Sequence, residues 1–215
     1  MSLARRGGAA VAIALMVAAW WRGPLVAHAS MFTLPVGTER QAMPLDCEAT
    51  SLTIALRAVG IRTTQQFAQS RFPVDLRAPV LGADRLPAQW GDPYIAFVGH
   101  VYGSEPGSNP GWASYPGWGA YAPTVAEAAA ALGAPVSARS GWSVSDIYAA
   151  VLAGHPVLVW TTVSYSTQTP RTWTAWDGRT IPWTLHGHVV VMMGVDRAAS
   201  RVMFSDPLVS CTGSS

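Results

Sequence analysis

The chain has 215 residues, half of them apolar and 12% charged, which fits one globular domain with a sizeable core. Lys and Arg number 14 against 12 Asp and Glu, a formal charge of +2, with no run of either sign longer than the Arg5-Arg6 pair. This excludes the charge patterning expected of a nucleic-acid partner or of an acidic membrane surface. Ten tryptophans, 20 glycines and 16 prolines point to long loops packed by aromatics, and hence to an α+β class rather than a helical bundle.

In chain order, Arg5-Arg6 is followed by the apolar run GGAAVAIALMVAAWW and by the small-residue site Ala27-His28-Ala29 before Ser30. The pattern reads as a secretory signal peptide over residues 1–29, leaving one mature domain over residues 30–215. The apolar run is about 15 residues, short of the roughly 20 that a spanning helix needs. The domain is therefore expected to be secreted or extracytoplasmic, with membrane attachment only if the segment stays uncleaved. Disulfides persist in that compartment.

Apolar residues at Ala49, Leu52, Ala55, Leu56 and Val59 recur at helical spacing, and Gly60 stands where a left-handed cap belongs. The spacing predicts a buried helix with Cys47 in its first turn. Residues 92–123 are rich in Gly, Pro, Trp and Tyr and read as a long loop, functional or pinned by its aromatics. Thr124-Val125-Ala126-Glu127 has the form of a capping box and Ser143 to Asp146 opens another helix; the two stop at Gly133 and Gly154. A run over 156–165 reads as a strand, residues 166–183 as a loop with Trp173, Trp176 and Trp183, and runs over 188–196 and 201–207 as a hairpin. The expected order is helices first, antiparallel sheet second.

Cys47 is flanked by Asp46 and Glu48. A helix N-terminus lowers a thiol pKa and these acids raise it, so nucleophilic use needs a base. An imidazole oriented by a third group would serve. His28 leaves with the signal segment, and His100 and His155 suit solvated or capping roles. His186 and His188 stand at the start of the Val-Val-Val strand, on one side if the strand begins that early. Asp206 can reach that strand if the hairpin forms, with the face left open because a one-residue slip reverses it. Gln41, six residues before the cysteine, is a neutral amide placed to help the Cys47 N–H stabilise an oxyanion.

Gln41-x5-Cys47 with the SLTIAL helix, GDPYIAFVGHVYGSEP, LAGHPVLVWTT, and HGHVVVMMGVD followed by FSDP together resemble a papain-like cysteine peptidase. The family is the one typified by the double-glycine leader peptidase domains of bacteriocin exporters, in its stand-alone secreted bacterial branch. The likeness runs over roughly residues 38–208. It implies a helical half carrying Cys47 as nucleophile and an antiparallel sheet carrying His188 as base and Asp206 as orienting residue, with Gln41 as oxyanion donor. It further implies a peptide or protein substrate; the expected species is a monomer without cofactor. The chain departs from the family in having Glu48 where Asp-Cys-Gly is common. It also stops soon after the Asp-Pro, which gives the expectation of a sheet lacking its last strand.

Other readings stand beside this one. A Cys47–Cys211 disulfide would block the nucleophile while closing a long loop. A catalytically inactive module on the same fold could hold a peptide or glycan with its aromatic loops. His186 and His188 could bind zinc, though no third ligand has a clear spacing.

Overall fold

The computed structural model describes residues 13–17, 31–197 and 200–209, the first of these as backbone only. Cys211 and the expected cleavage site lie outside them. In chain order the elements are β1 (Ile13–Val17), β2 (Phe32–Thr33), α1 (Cys47–Ala58), α2 (Gln65–Gln69), β3 (Val74–Asp75), β4 (Val80–Leu81), β5 (Pro87–Trp90), β6 (Phe97–Gly99), β7 (Gly117–Gly119), α3 (Ala122–Ala131), β8 (Val136–Ser140), α4 (Val144–Leu152), β9 (Val157–Thr162), β10 (Arg171–Ala175), β11 (Thr180–Trp183), β12 (Gly187–Asp196) and β13 (Arg201–Ser205). The class is α+β, as the composition predicts.

Helix α1 is the centre of the larger core. Every residue from Glu48 to Leu56 is buried, so this helix is enclosed by protein rather than amphipathic. Its polar side chains are absorbed by neighbours: Thr50 Oγ1 donates to Gln65 Oε1 at 2.9 Å, and Ser51 Oγ to the Val189 carbonyl at 3.0 Å. Gly60, at φ +85°, ends it as its position predicts. The Ser143–Asp146 capping box forms, but the one at Thr124 does not. Pro123, with its preset φ, starts α3 earlier, and Thr124 is buried with its hydroxyl on the Pro93 carbonyl.

Against α1 lies a six-stranded sheet in the order β13-β12-β9-β1-β8, with β2 pairing β12 beyond the end of β9. Strand β12 is buried from His188 to Val195, which is why its sequence is a nearly unbroken apolar run rather than an alternating one. Ile13–Val17, inside the expected signal segment, is an extended strand, antiparallel to both β8 and β9. The predicted β12–β13 hairpin is present. Asp196 pairs Arg201 and Gly194 pairs Met203, then the register shifts so that Met192 pairs Phe204 and Val191 pairs Ser205. A bulge at Met193 accounts for the extra residue.

The expected division into helices first and sheet second does not hold in the middle of the chain. Two small sheets, β11-β10-β5-β4 and β3-β6-β7, stand there. They take in parts of both segments read as loops: 92–123 supplies β6 and β7, and 166–183 supplies the β10–β11 hairpin. Their strands are two to five residues long, too short to show a period. A second core of Trp90, Trp112, Trp173, Trp183, Val98 and Ile181 holds them, with Trp118 edge-on to both Trp173 and Trp183.

Candidate active site

Cys47 opens α1, and the helix rests on β12 through Ser51 and the Val189 carbonyl. His188 is therefore brought to the cysteine end of the helix. The shifted hairpin register carries Asp206 to the same region: with Ser205 opposite Val191, the next residue falls opposite Val190, on the face that Val190 shares with His188. The contact is direct. His188 Nε2 and Asp206 Oδ1 are 2.7 Å apart, with His188 almost wholly buried. Engagement of Nε2 leaves Nδ1 as the ring nitrogen that can exchange a proton.

Asp206 is held on three sides. Its Oδ1 also accepts the Leu208 N–H at 2.9 Å, and its Oδ2 accepts the Tyr165 hydroxyl at 2.6 Å. Burial works to raise this carboxyl, but the hydrogen bonds from Tyr165, His188 and Leu208 outweigh it and hold Asp206 below the ordinary aspartate range.

The cysteine is less prepared. Its Sγ donates to Glu48 Oε2 at 3.4 Å, and among the described residues no hydrogen bond joins it to His188. Burial first, then the neighbouring Glu48 carboxylate, push the Cys47 thiol well above its ordinary pKa; the Val189 backbone opposes them and the Glu105 charge adds to them. The resting group is a thiol. Glu48 is itself raised to about 7 by burial, against the Ala120 N–H that its Oε1 accepts at 2.8 Å. Glu105 is also raised to about 7 by burial, and Asp46 to about 6 by burial against backbone donors.

Gln41 lies beside these groups, its backbone N–H on the Pro207 carbonyl at 2.9 Å. Its side-chain amide, however, donates to the Met43 and Pro44 carbonyls at 3.0 and 2.8 Å. Both amide protons are thus occupied in the turn leading to α1. His186 does not share a side with His188: the strand starts at Gly187, His186 has φ +58°, and its imidazole is exposed, 4.0 Å from Glu105. His100 stacks on Tyr115 with ring centroids 4.1 Å apart. Among the described residues no three His, Cys, Asp or Glu side chains are grouped to hold a metal, and no helix is long and apolar enough to cross a membrane. A surface hollow lined by Arg57, Gly60, Arg62 and Thr63 lies at the other end of α1, about 16 Å along the axis from Cys47.

Tyr165 and Glu105 had no signal in the sequence. Tyr165 follows an ordinary strand, and Glu105 sits in a segment of Gly and Pro; only the fold brings them to Asp206 and to the cysteine. Glu48 was visible as a neighbouring charge, but not as the acceptor of the thiol.

Compared with known proteins, residues 33–214 match the model of the Peptidase_C39 like family. The crystal structure of a Bacillus anthracis protein designated a C39-like peptidase superposes with a TM-score of 0.65 at 23% identity, covering 84% of each chain. That likeness shows a shared fold. A comparison with curated proteins gives no significant match.

Proposed function

The chain belongs to the Peptidase_C39 like family, and from that premise we propose that it is an exported thiol hydrolase, a cysteine peptidase that cleaves peptide bonds through an acyl-enzyme on Cys47. The observation that carries this reading is the His188 Nε2–Asp206 Oδ1 bond of 2.7 Å, made on the strand against which the cysteine helix packs. An imidazole fixed through Nε2 presents Nδ1 as the general base. As Sγ attacks the scissile carbonyl carbon, its proton passes to Nδ1 and the S–C bond forms. The imidazolium, stabilised by the Asp206 carboxylate, then gives that proton to the departing amine as the C–N bond breaks. Water, deprotonated by the same nitrogen, releases the acid and restores the thiol. The Cys47 N–H at the start of α1 supplies an oxyanion donor; Gln41 supplies a second on giving up one of its turn carbonyls.

Export rests on the charged and apolar N-terminal pattern and its small-residue site. The substrate class is a peptide or protein, and the acting species is a monomer in the stand-alone secreted branch of the family.

A second reading, an inactive peptide- or glycan-binding module, is favoured by the bond from Cys47 to Glu48 and by the occupied Gln41 amide. Alkylation separates the two. Iodoacetamide labelling mapped by mass spectrometry at pH 6, with and without mild reduction, should modify Cys47 without reductant and lose speed in His188→Ala. Cys47→Ala should abolish hydrolysis of a peptide library. Equal, slow labelling of wild type and His188→Ala would reject catalysis, and a Cys47–Cys211 linked peptide would replace it with a structural bridge.

A further inference from the structure

We propose that Tyr165 is a positioning residue that fixes the Asp206 carboxylate for His188; this rests on the catalytic reading above. Four observations converge on it. The Tyr165 hydroxyl donates to Asp206 Oδ2 at 2.6 Å, so that His188 and Tyr165 grip opposite oxygens of one carboxylate. The Tyr165 ring stacks on Phe204, two residues before that aspartate, at 6.0 Å between centroids and 24° between planes. The residue has φ +53°, the left-handed region that a bulky side chain seldom occupies. The turn that imposes this is tied at both ends, by the Tyr165 N–H on the Thr162 carbonyl and by Thr162 Oγ1 on the Ser166 carbonyl, each 2.9 Å.

The strained backbone has a purpose if it aims the ring. A carboxylate attached to the end of a strand can rotate about χ1 and χ2, and only one setting puts Oδ1 on Nε2 of a buried imidazole. A hydroxyl on Oδ2 removes the other settings, and the Leu208 N–H on Oδ1 completes the fixation. Half the tyrosine surface remains exposed, so little of its burial accounts for the geometry. Its alignment with the aspartate does. Tyr165 touches neither the cysteine nor the reacting carbonyl in this scheme; it acts through Asp206 on the readiness of His188 to accept the thiol proton.

The test measures the pH dependence of Cys47 alkylation by iodoacetamide in wild type, Tyr165→Phe, Asp206→Asn, the double variant and His188→Ala, with circular dichroism and Tm of each as a fold control. Tyr165→Phe keeps the ring and its stack and removes only the hydroxyl. The expected result is a slowing of about 3- to 10-fold at pH 6 to 7, with the acid limb displaced to lower pH because a less well stabilised imidazolium loses its proton sooner. In Asp206→Asn the same tyrosine change should have little further effect, since the two residues act as one unit. A Tyr165→Phe profile superimposed on wild type overturns the proposal, as does an equal slowing in the presence and absence of Asp206. A wild type whose profile is unchanged by His188→Ala overturns the underlying reading of the site, a result distinct from either of these.

Discussion

At the scale of single residues, the site is shaped by carboxyl groups more than by its cysteine. Glu48 lies beside the thiol with its Oε1 on the Ala120 N–H, and replacing it by glutamine removes the charge while keeping a hydrogen-bonding side chain. Glu48→Gln is expected to lower the Cys47 pKa and to move the alkylation profile to lower pH; an unmoved profile would show that burial alone sets the thiol. The same carboxyl makes stability depend on pH. Glu48 and Glu105 are raised from the ordinary 4.5 to about 7, so the folded state binds more protons than the unfolded chain between those values. Their contribution is fully present below about pH 4.5 and is lost as pH rises through about 7. Thermal unfolding should therefore show a Tm falling over that interval, less steeply in Glu48→Gln, and a flat Tm would contradict the assignment. Asp206, held low, has the opposite sign, its stabilisation being lost at acid pH. Of these groups the sequence displayed the cysteine, His188, Asp206 and the flanking acids. It could not display Tyr165, because the meeting with Asp206 spans 41 positions and depends on a turn with no signature.

Among elements, α1 and the long strands were legible and the small sheets were not. Helix α1 runs over about three turns of regular apolar spacing, and β12 is a ten-residue strand with an unbroken apolar run from Val189 to Val195, long enough for a period or a run to be seen. Strands β3, β4, β6 and β7 have two or three residues each, and their placement comes from tryptophans far away in the chain. One of them bears directly on the cysteine. Gly119 in β7 has φ +136°, and a Cβ there would stand 2.1 Å from Glu48 Oε1. Gly119→Ala should cost about 2 kcal/mol or more, measured by urea unfolding, and should raise Cys47 alkylation by displacing Glu48; wild-type stability would refute the close approach. Strand β1 poses a different problem. Among the described residues it alone pairs β8, and it also covers the edge of β9 that faces away from β12. A chain starting at Ser30 lacks it. Amide hydrogen exchange in residues 136–140 is expected to be fast in that shortened chain and slow in the full one; equal protection would mean that β8 pairs β9 directly.

On the scale of the whole molecule, two cores meet beside the site. The larger is built from α1, α3, α4 and the six-stranded sheet, the smaller from tryptophans around Trp90 and Trp173. The Trp160 indole N–H on the Ala120 carbonyl, and Glu48 on the Ala120 N–H, lie where they adjoin. Trp173 is buried and bonds the Gly91 carbonyl through Nε1 at 2.9 Å. Trp173→Ala should destabilise by about 3–5 kcal/mol and unfold the smaller core first, seen as a tryptophan-fluorescence transition ahead of the far-UV signal. A single coincident transition would show one cooperative unit. The α+β class and the order cysteine, histidine, aspartate were thus readable, while the face on which the last two meet was not. That face is decided by a count. From the Asp196–Arg201 pair inward, an unbroken ladder would set Asp206 opposite Val191, on the side of the sheet turned away from His188. The extra residue at Met193 changes odd to even. At this chain length a perfectly regular hairpin would leave the histidine without an acid, so the irregular sheet is the one in which the pair can meet.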